Sequence, residues 1–380
     1  MIKITTNAES LKKVLAAQCK QYQFATAQAL SQSTVTGAHK GMRFQITRVR
    51  DYQVVALETE AILAAKRDVG SLIRSLDTEI GTGVNNLSKS LATALFRGRA
   101  GNIGNVSSTV AITATTITLQ NANDITSFEV GMVLVAASSI AASTANRATP
   151  ATATITGVDR DAGVLTFGAG TFTGTNWAAS DFLFAQGDSN NNTTTFQKVF
   201  GLADWLPAIA PTTGDAVFGA QADRSVDPSR LAGIRIDASA LSPEEAAARS
   251  LVRLSREGGN PDFMVINHQD WQNISTSLGS KVETTYTSTG EFGFEALRIR
   301  GPRGLCSIVA DQDCPQGRGY LLQMDTWKLY SLEGCPQILN MDGNQLSRVY
   351  NADQFEARIV YYANTACTAP GFNATVNMPQ

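Results

Sequence analysis

LIRSLDTEIGTGVNNLSKSLATAL, residues 72–95, is the most regular stretch of the chain. Leu72, Leu76, Ile80, Val84, Leu87, Leu91 and Leu95 recur at steps of four, four, four, three, four and four, which draws one apolar stripe along an α-helix. Asp77 and Glu79 stand towards its start and Lys89, Arg97 and Arg99 towards its end, the arrangement that a helix dipole favours. The pattern predicts a single helix of about 25 residues, nearly 40 Å long. Gly81 and Gly83 weaken its middle and invite a bend.

Upstream of this helix the text changes period. Phe44 and Ile46 alternate with polar residues, and Tyr52, Val54 and Leu57 do much the same beyond Arg50-Asp51. Alternation by two predicts strands, here as a two-stranded hairpin or an extended arm. An isolated ribbon is marginal in water, so it must lie on something, either another subunit or its own domain. Deleting 43–57 is then expected to spare the fold. Seven basic residues (Lys40, Arg43, Arg48, Arg50, Lys66, Arg67, Arg74) mix here with four acidic ones (Asp51, Glu58, Glu60, Asp68). That mixture suits intersubunit ion pairs or a solvated face better than a phosphate track. Further upstream, Thr6 precedes Glu9 at the capping-box spacing, with Leu11, Leu15, Cys19 and Tyr22 following at helical intervals.

Downstream, residues 105–188 carry only eight charged side chains and are rich in Thr, Ala, Ser, Asn and Gly. TITLQNA, TATITGV and GVLTFGA are strand-like runs between turn residues, which predicts a β-rich inserted domain. Asp159-Arg160-Asp161-Ala162-Gly163 lacks the distal ligands of a calcium loop and reads as a tight turn. From about 195 both element types mix. Ser242-Pro243-Glu244-Glu245 opens a helix with its N-cap, its first-position proline and its acidic first turn. Gly258-Gly259 and Pro261 stop it, DFMVI follows as a buried strand, and Asn267 caps a second helix with Trp271, Ile274 and Leu278. LCSIVA, GYLLQM, WKLYSL and ARIVYY are further strands, so the body is α+β.

Composition limits the chemistry. At 380 residues the chain exceeds a single core. Its formal net charge of −2 argues against a dedicated nucleic-acid binder. His39 and His268 are the only histidines, which leaves little for metal or acid–base sites. Five cysteines at irregular spacing contain no CxxC, and a pairing of His268 with Cys306 or Cys314 has no nucleophile motif behind it. GNIGN and GAGTFTG match neither a P-loop nor a dinucleotide fingerprint. The start has no secretory h-region and no stretch is apolar enough to span a bilayer, so no membrane association is expected. The reading is of a chain without catalytic, cofactor or metal residues.

Several blocks resemble a known family. FQITRVRDYQVVALETEAILAAKRDVGSL at 44–72, GLADWLP at 201–207, RSVDPSRLAGIRID at 224–237, DCPQGRGYLLQMDTWKLYSLEGCPQIL at 313–339 and APGFNATV at 369–376 occur in an order that resembles the major capsid protein of tailed double-stranded DNA bacteriophages. The resemblance implies the Hong Kong 97 fold, with an N-terminal arm at 1–37, an extended loop at 38–70 and a spine helix of the peripheral domain at 71–104. A β-rich insertion domain at 105–188 and the axial domain with the rest of the peripheral domain at 189–380 complete the expected division. It also implies a homo-oligomer of pentamers and hexamers enclosing DNA without sequence-specific binding, assembled in the host cytoplasm and resident in the virion. Portal, decoration and separate scaffold proteins are the partners it suggests. Arg43, Phe44, Arg48, Arg50, Tyr52, Lys66 and Arg67 are the residues expected between subunits. Two rival readings are a β-rich binding module, such as an adhesin or tail component meeting a carbohydrate or protein, and an enzyme with a Cys or Asp site.

Overall fold

The computed structural model describes residues 44–59, 69–140, 145–189, 198–215, 217–218, 223–278, 297–340 and 346–379. The chain divides into two compact units, 1–44 and 45–380, and every element below belongs to the second. The helix expected around Thr6–Tyr22 lies outside the described residues, as do Arg43, Lys66 and Arg67. Among the described residues the architecture is mixed helix and sheet, with three sheets and a hydrophobic cluster against each.

The periodic stretch forms one helix, Val69–Arg97, of 29 residues, about 43 Å at 1.5 Å per residue. It runs through Gly81 and Gly83 without interruption. The two glycines have different reasons to be there. A Cβ at Gly81 would meet nothing within 4 Å, whereas one at Gly83 would sit 2.7 Å from Ile359 Cδ1 and 2.8 Å from Val55 Cγ2. Gly83 therefore permits close approach of the helix to the sheet beneath it. Gly98, at φ +94°, ends the helix in the left-handed region.

That sheet is built on the strand Gln354–Cys367. Along one edge lies the strand Val49–Glu58, antiparallel and in unbroken register from Val49↔Ala363 to Glu58↔Gln354. Along the other edge lie Trp327–Ser331, Gln337–Ile338 and Ser347–Arg348 in succession. The hairpin reading of 44–57 is thereby corrected. Arg50-Asp51 is no turn; Val49–Glu58 is one strand, and Phe44 and Ile46 precede it outside any strand. Its partner is a distant part of the same chain. Val49 is buried, and Val55 is buried in a core shared with Leu87, Ala94, Ile359 and Tyr361. Deleting 43–57 would remove an edge and part of a core, contrary to expectation.

The second sheet orders its strands as Leu297–Arg300, Leu305–Ala310, Phe263–Ile266, Arg318–Leu322, Ala374–Asn377 and Ile234–Asp237. Pro243–Arg256 and His268–Leu278 supply helices to its core, where Ala246, Leu251, Leu254 and Ile274 pack with Met264, Ile308 and Val376. The first helix starts as its sequence predicts: Glu245 N–H donates to Ser242 Oγ at 3.4 Å, with proline in the first turn. At the second, Gln269 N–H donates to Asn267 Oδ1 at 3.0 Å.

The third sheet is the charge-poor insert: Asn102–Asn105, Phe182–Ala185, Val133–Ala137, Ala153–Asp159, Val164–Phe167 and Thr116–Thr118. It has a core of its own, including Ile117, Phe128, Leu134, Ile155, Leu165 and Leu183. The turn at 159–163 forms as read: Asp159 Oδ1 accepts from the N–H groups of Asp161 and Ala162, and Gly163 takes φ +65°. The insert is tied to the long helix by the Arg97–Asp124 ion pair at 2.5 Å and by Lys89 Nζ donating to Thr126 O at 2.6 Å.

Candidate assembly surface and the ion cluster beneath it

Alternation in Val49–Glu58 sorts its side chains onto two faces. Arg50, Tyr52, Val54 and Ala56 are exposed, and Val49 and Val55 are buried. Tyr52 is 44% and Val54 48% exposed, a large apolar surface for one strand. Arg48 joins this outer face with its guanidinium 5.8 Å from the centre of the Tyr362 ring. Tyr52 meets the same ring edge-on at 6.1 Å, and the two hydroxyls are 3.3 Å apart. The hydrogen bond with Tyr52 raises the Tyr362 hydroxyl above the ordinary tyrosine value. Of the seven residues expected between subunits, Arg48, Arg50 and Tyr52 thus share one exposed face. Phe44 is partly exposed, and Arg43, Lys66 and Arg67 lie outside the described residues.

Under that face sits a cluster that the sequence reading missed. Lys198, 5% exposed at its side chain, holds Asp51 Oδ2 at 2.5 Å and Asp188 Oδ1 at 3.1 Å. Its Nζ also donates to Ser90 Oγ at 2.8 Å, and Tyr361 OH donates to Asp51 Oδ2 at 3.3 Å. One ammonium therefore joins the edge strand, the long helix and the exit of the insert. Burial raises the Asp188 carboxyl, with Lys198 opposing and Asp51 reinforcing the shift. Burial also raises the Tyr361 hydroxyl, with Asp51 adding to it. A signal was present in the sequence: Lys198 is the lone basic residue between Arg160 and Arg224. Beside it a cavity of about 500 Å³ opens between Gln53, Asn86, Lys89, Asn102 and Gln186, with its charges already paired among themselves.

Cys306 and Cys314, the two thiols weighed against His268, are both buried. Burial pushes Cys306 up to about 12, and Cys314 is likewise raised, by burial first and then by Asp270 and Asp311. Such thiols stay protonated at neutral pH, and the thiolate is the reactive form. Among the described residues no group of three or more His, Cys, Asp or Glu could hold a metal, and no helix is long and apolar enough to cross a membrane.

Residues 180–347 match the model of the SU10 major capsid protein family. The matched segment is less than half of the chain. No curated protein matches the chain. Among solved structures, the cyanophage A-1(L) capsid chain is 14% identical with a TM-score of 0.33, over 49% of this chain and 62% of that one. The chain therefore spans less than two thirds of that relative. A satellite phage P4 procapsid chain is 6% identical with a TM-score of 0.36, over 91% of this chain and 77% of that one. The encapsulin of Synechococcus elongatus is 12% identical with a TM-score of 0.25, over 37% and 51%.

Proposed function

We propose that the chain is the shell-forming subunit of a tailed-phage head, assembling through pentamers and hexamers around double-stranded DNA. The family match over 180–347 is the observation that carries this reading. The arrangement proposed is of the Hong Kong 97 type. In it, residues 1–37 are the N-terminal arm, 38–70 the extended loop, 71–104 the spine helix, 105–188 the insertion domain, and 189–380 the axial domain with the remaining peripheral part. Arg48, Arg50 and Tyr52, with Phe44, Arg43, Lys66 and Arg67, are the residues assigned to contacts with neighbouring subunits.

Two features support the reading. Large apolar side chains stand exposed in the lone subunit, among them Tyr52, Val54, Leu329, Tyr330 and Leu332 around the first sheet, and repeated neighbours would cover them. The near-zero net charge fits a lining that encloses DNA without gripping it by many phosphate contacts. Assembly takes place in the host cytoplasm, with portal, scaffold and decoration proteins as further partners, and the subunit has no enzymatic activity. Negative-stain electron microscopy of the expressed protein tests the proposal. Closed particles of uniform diameter are expected; monomers alone, across salt and concentration, would refute it.

A further inference from the structure

The open edge of Val49–Glu58 has a definable chemistry. On the strand Gln354–Cys367, the carbonyls of Tyr362, Arg358 and Gln354 accept from Leu332, Leu339 and Val349 N–H on the far side. The alternate residues, Ala363, Tyr361, Ile359, Ala357 and Phe355, therefore face the edge strand, where Val49, Asp51, Gln53, Val55 and Leu57 answer them in register. It follows that Arg50, Tyr52, Val54, Ala56 and Glu58 turn their backbone N–H and C=O groups to the other side. Among the described residues no strand pairs there. Tyr52 N–H is met by the neighbouring carboxylate, Asp51 Oδ1, at 3.0 Å. The strand is ten residues long and has neither the proline nor the bulge that blunts many open edges; its charges are Arg50, Asp51 and Glu58.

We propose that this edge docks the same strand of a second copy, antiparallel about a two-fold axis through Val54. The inference rests on the shell reading and names one of its contacts. A two-fold contact pairs a surface with itself, so the sequence must be complementary to its own reverse. Centred on Val54, it sets Val54 opposite Val54, Tyr52 opposite Ala56, and Arg50 opposite Glu58 twice over. These are the residues whose backbone groups face the open side, so the ladder admits this register and the charge pattern favours it. Sliding one way sets Tyr52 against Glu58 and loses both opposite-charge pairs; sliding the other way sets Arg50 against Ala56 and leaves Glu58 facing Arg48, which lies outside the strand. Arg50, Tyr52, Val54 and Ala56 are also the exposed residues of the strand, so the joined sheet presents one continuous basic–aromatic face.

The full chain carrying Val54→Cys is the test. At the two-fold the new thiols of neighbouring copies meet, and mild oxidation is expected to yield a disulfide dimer. Val252→Cys, at an exposed position elsewhere, is expected to yield none. In the Val54→Cys background, Arg50→Glu or Glu58→Arg alone should cut the dimer about tenfold, because like charges then face each other; the double swap should restore it. Shells that give no Val54→Cys dimer, or a double swap that fails to restore one, overturn the edge contact and leave the shell reading standing. Dimers from a chain that never forms shells would do the reverse.

Discussion

Alanine at Gly81 and at Gly83 should act in opposite directions, although the two positions lie on one helix two residues apart. Each replacement removes the backbone freedom of an interior helical glycine, which favours the helix by about 1 kcal/mol. Only Gly83→Ala must also find room. Its methyl would lie 2.7 Å from Ile359 Cδ1 and 2.8 Å from Val55 Cγ2, side chains that are 0% and 6% exposed. Ile359 can yield at its end, but Val55 is β-branched and stiff. Overpacking of this kind costs about 1–3 kcal/mol. Gly81→Ala meets nothing within 4 Å and should stabilise, by about 0.5–1 kcal/mol. The helix contribution cancels between the variants, so their difference isolates packing at about 1–3 kcal/mol. Urea unfolding of dispersed subunits measures it without help from neighbours. Agreement of the two variants within about 0.5 kcal/mol would sink the claim that Gly83 exists for close approach.

Three further outcomes are expected. Lys198→Met strands two carboxylates, Asp51 and Asp188, around an empty position, and should cost about 3 kcal/mol in the same urea assay; wild-type stability would contradict the bracket. Asp270 is 1% exposed, its Oδ2 accepts from Gly317 N–H at 2.8 Å, and burial raises its carboxyl. The folded state therefore holds this proton more tightly than the unfolded chain, so its charge weighs against the fold at neutral pH. That burden lifts as pH falls through the raised value and is gone below the ordinary carboxylate value of about 3.9. Asp270→Asn should thus stabilise at pH 8 and flatten the stability profile towards pH 4, and an unchanged slope would count against it. Removing 49–58 should leave the protein unable to fold by circular dichroism, whereas Arg50→Ala should fold normally.

Local pattern and composition were enough for much of this architecture. The stripe from Leu72 to Leu95, the Ser242-Pro243-Glu244-Glu245 start and the turn at 159–163 each depend on residues within a few positions of one another. The change in composition after Gly104 marks a segment with its own core for a related reason: a sheet that packs on itself needs few charges. What stayed hidden was pairing at a distance. Alternation in 49–58 tells which side chains share a face, but nothing local names Gln354–Cys367 as the partner or distinguishes one strand from two. The Lys198 bracket was hidden for the same cause. Its three anchors, Asp51, Ser90 and Asp188, come from separate elements, and the lone lysine of an acidic stretch does not name them until those elements meet.

The pairing of Tyr52 with Tyr362 joins positions 310 residues apart. At synthesis rates of about 5–20 residues per second, the edge strand waits roughly 15 to 60 s for its partner to leave the ribosome. Throughout that interval the basic–aromatic face has no sheet to hold it in shape. A half-made or truncated chain therefore lacks the partner that orders this strand, and its exposed face takes shape only once Gln354–Cys367 has been made. The long-range strand pair ties that face to the completion of the chain.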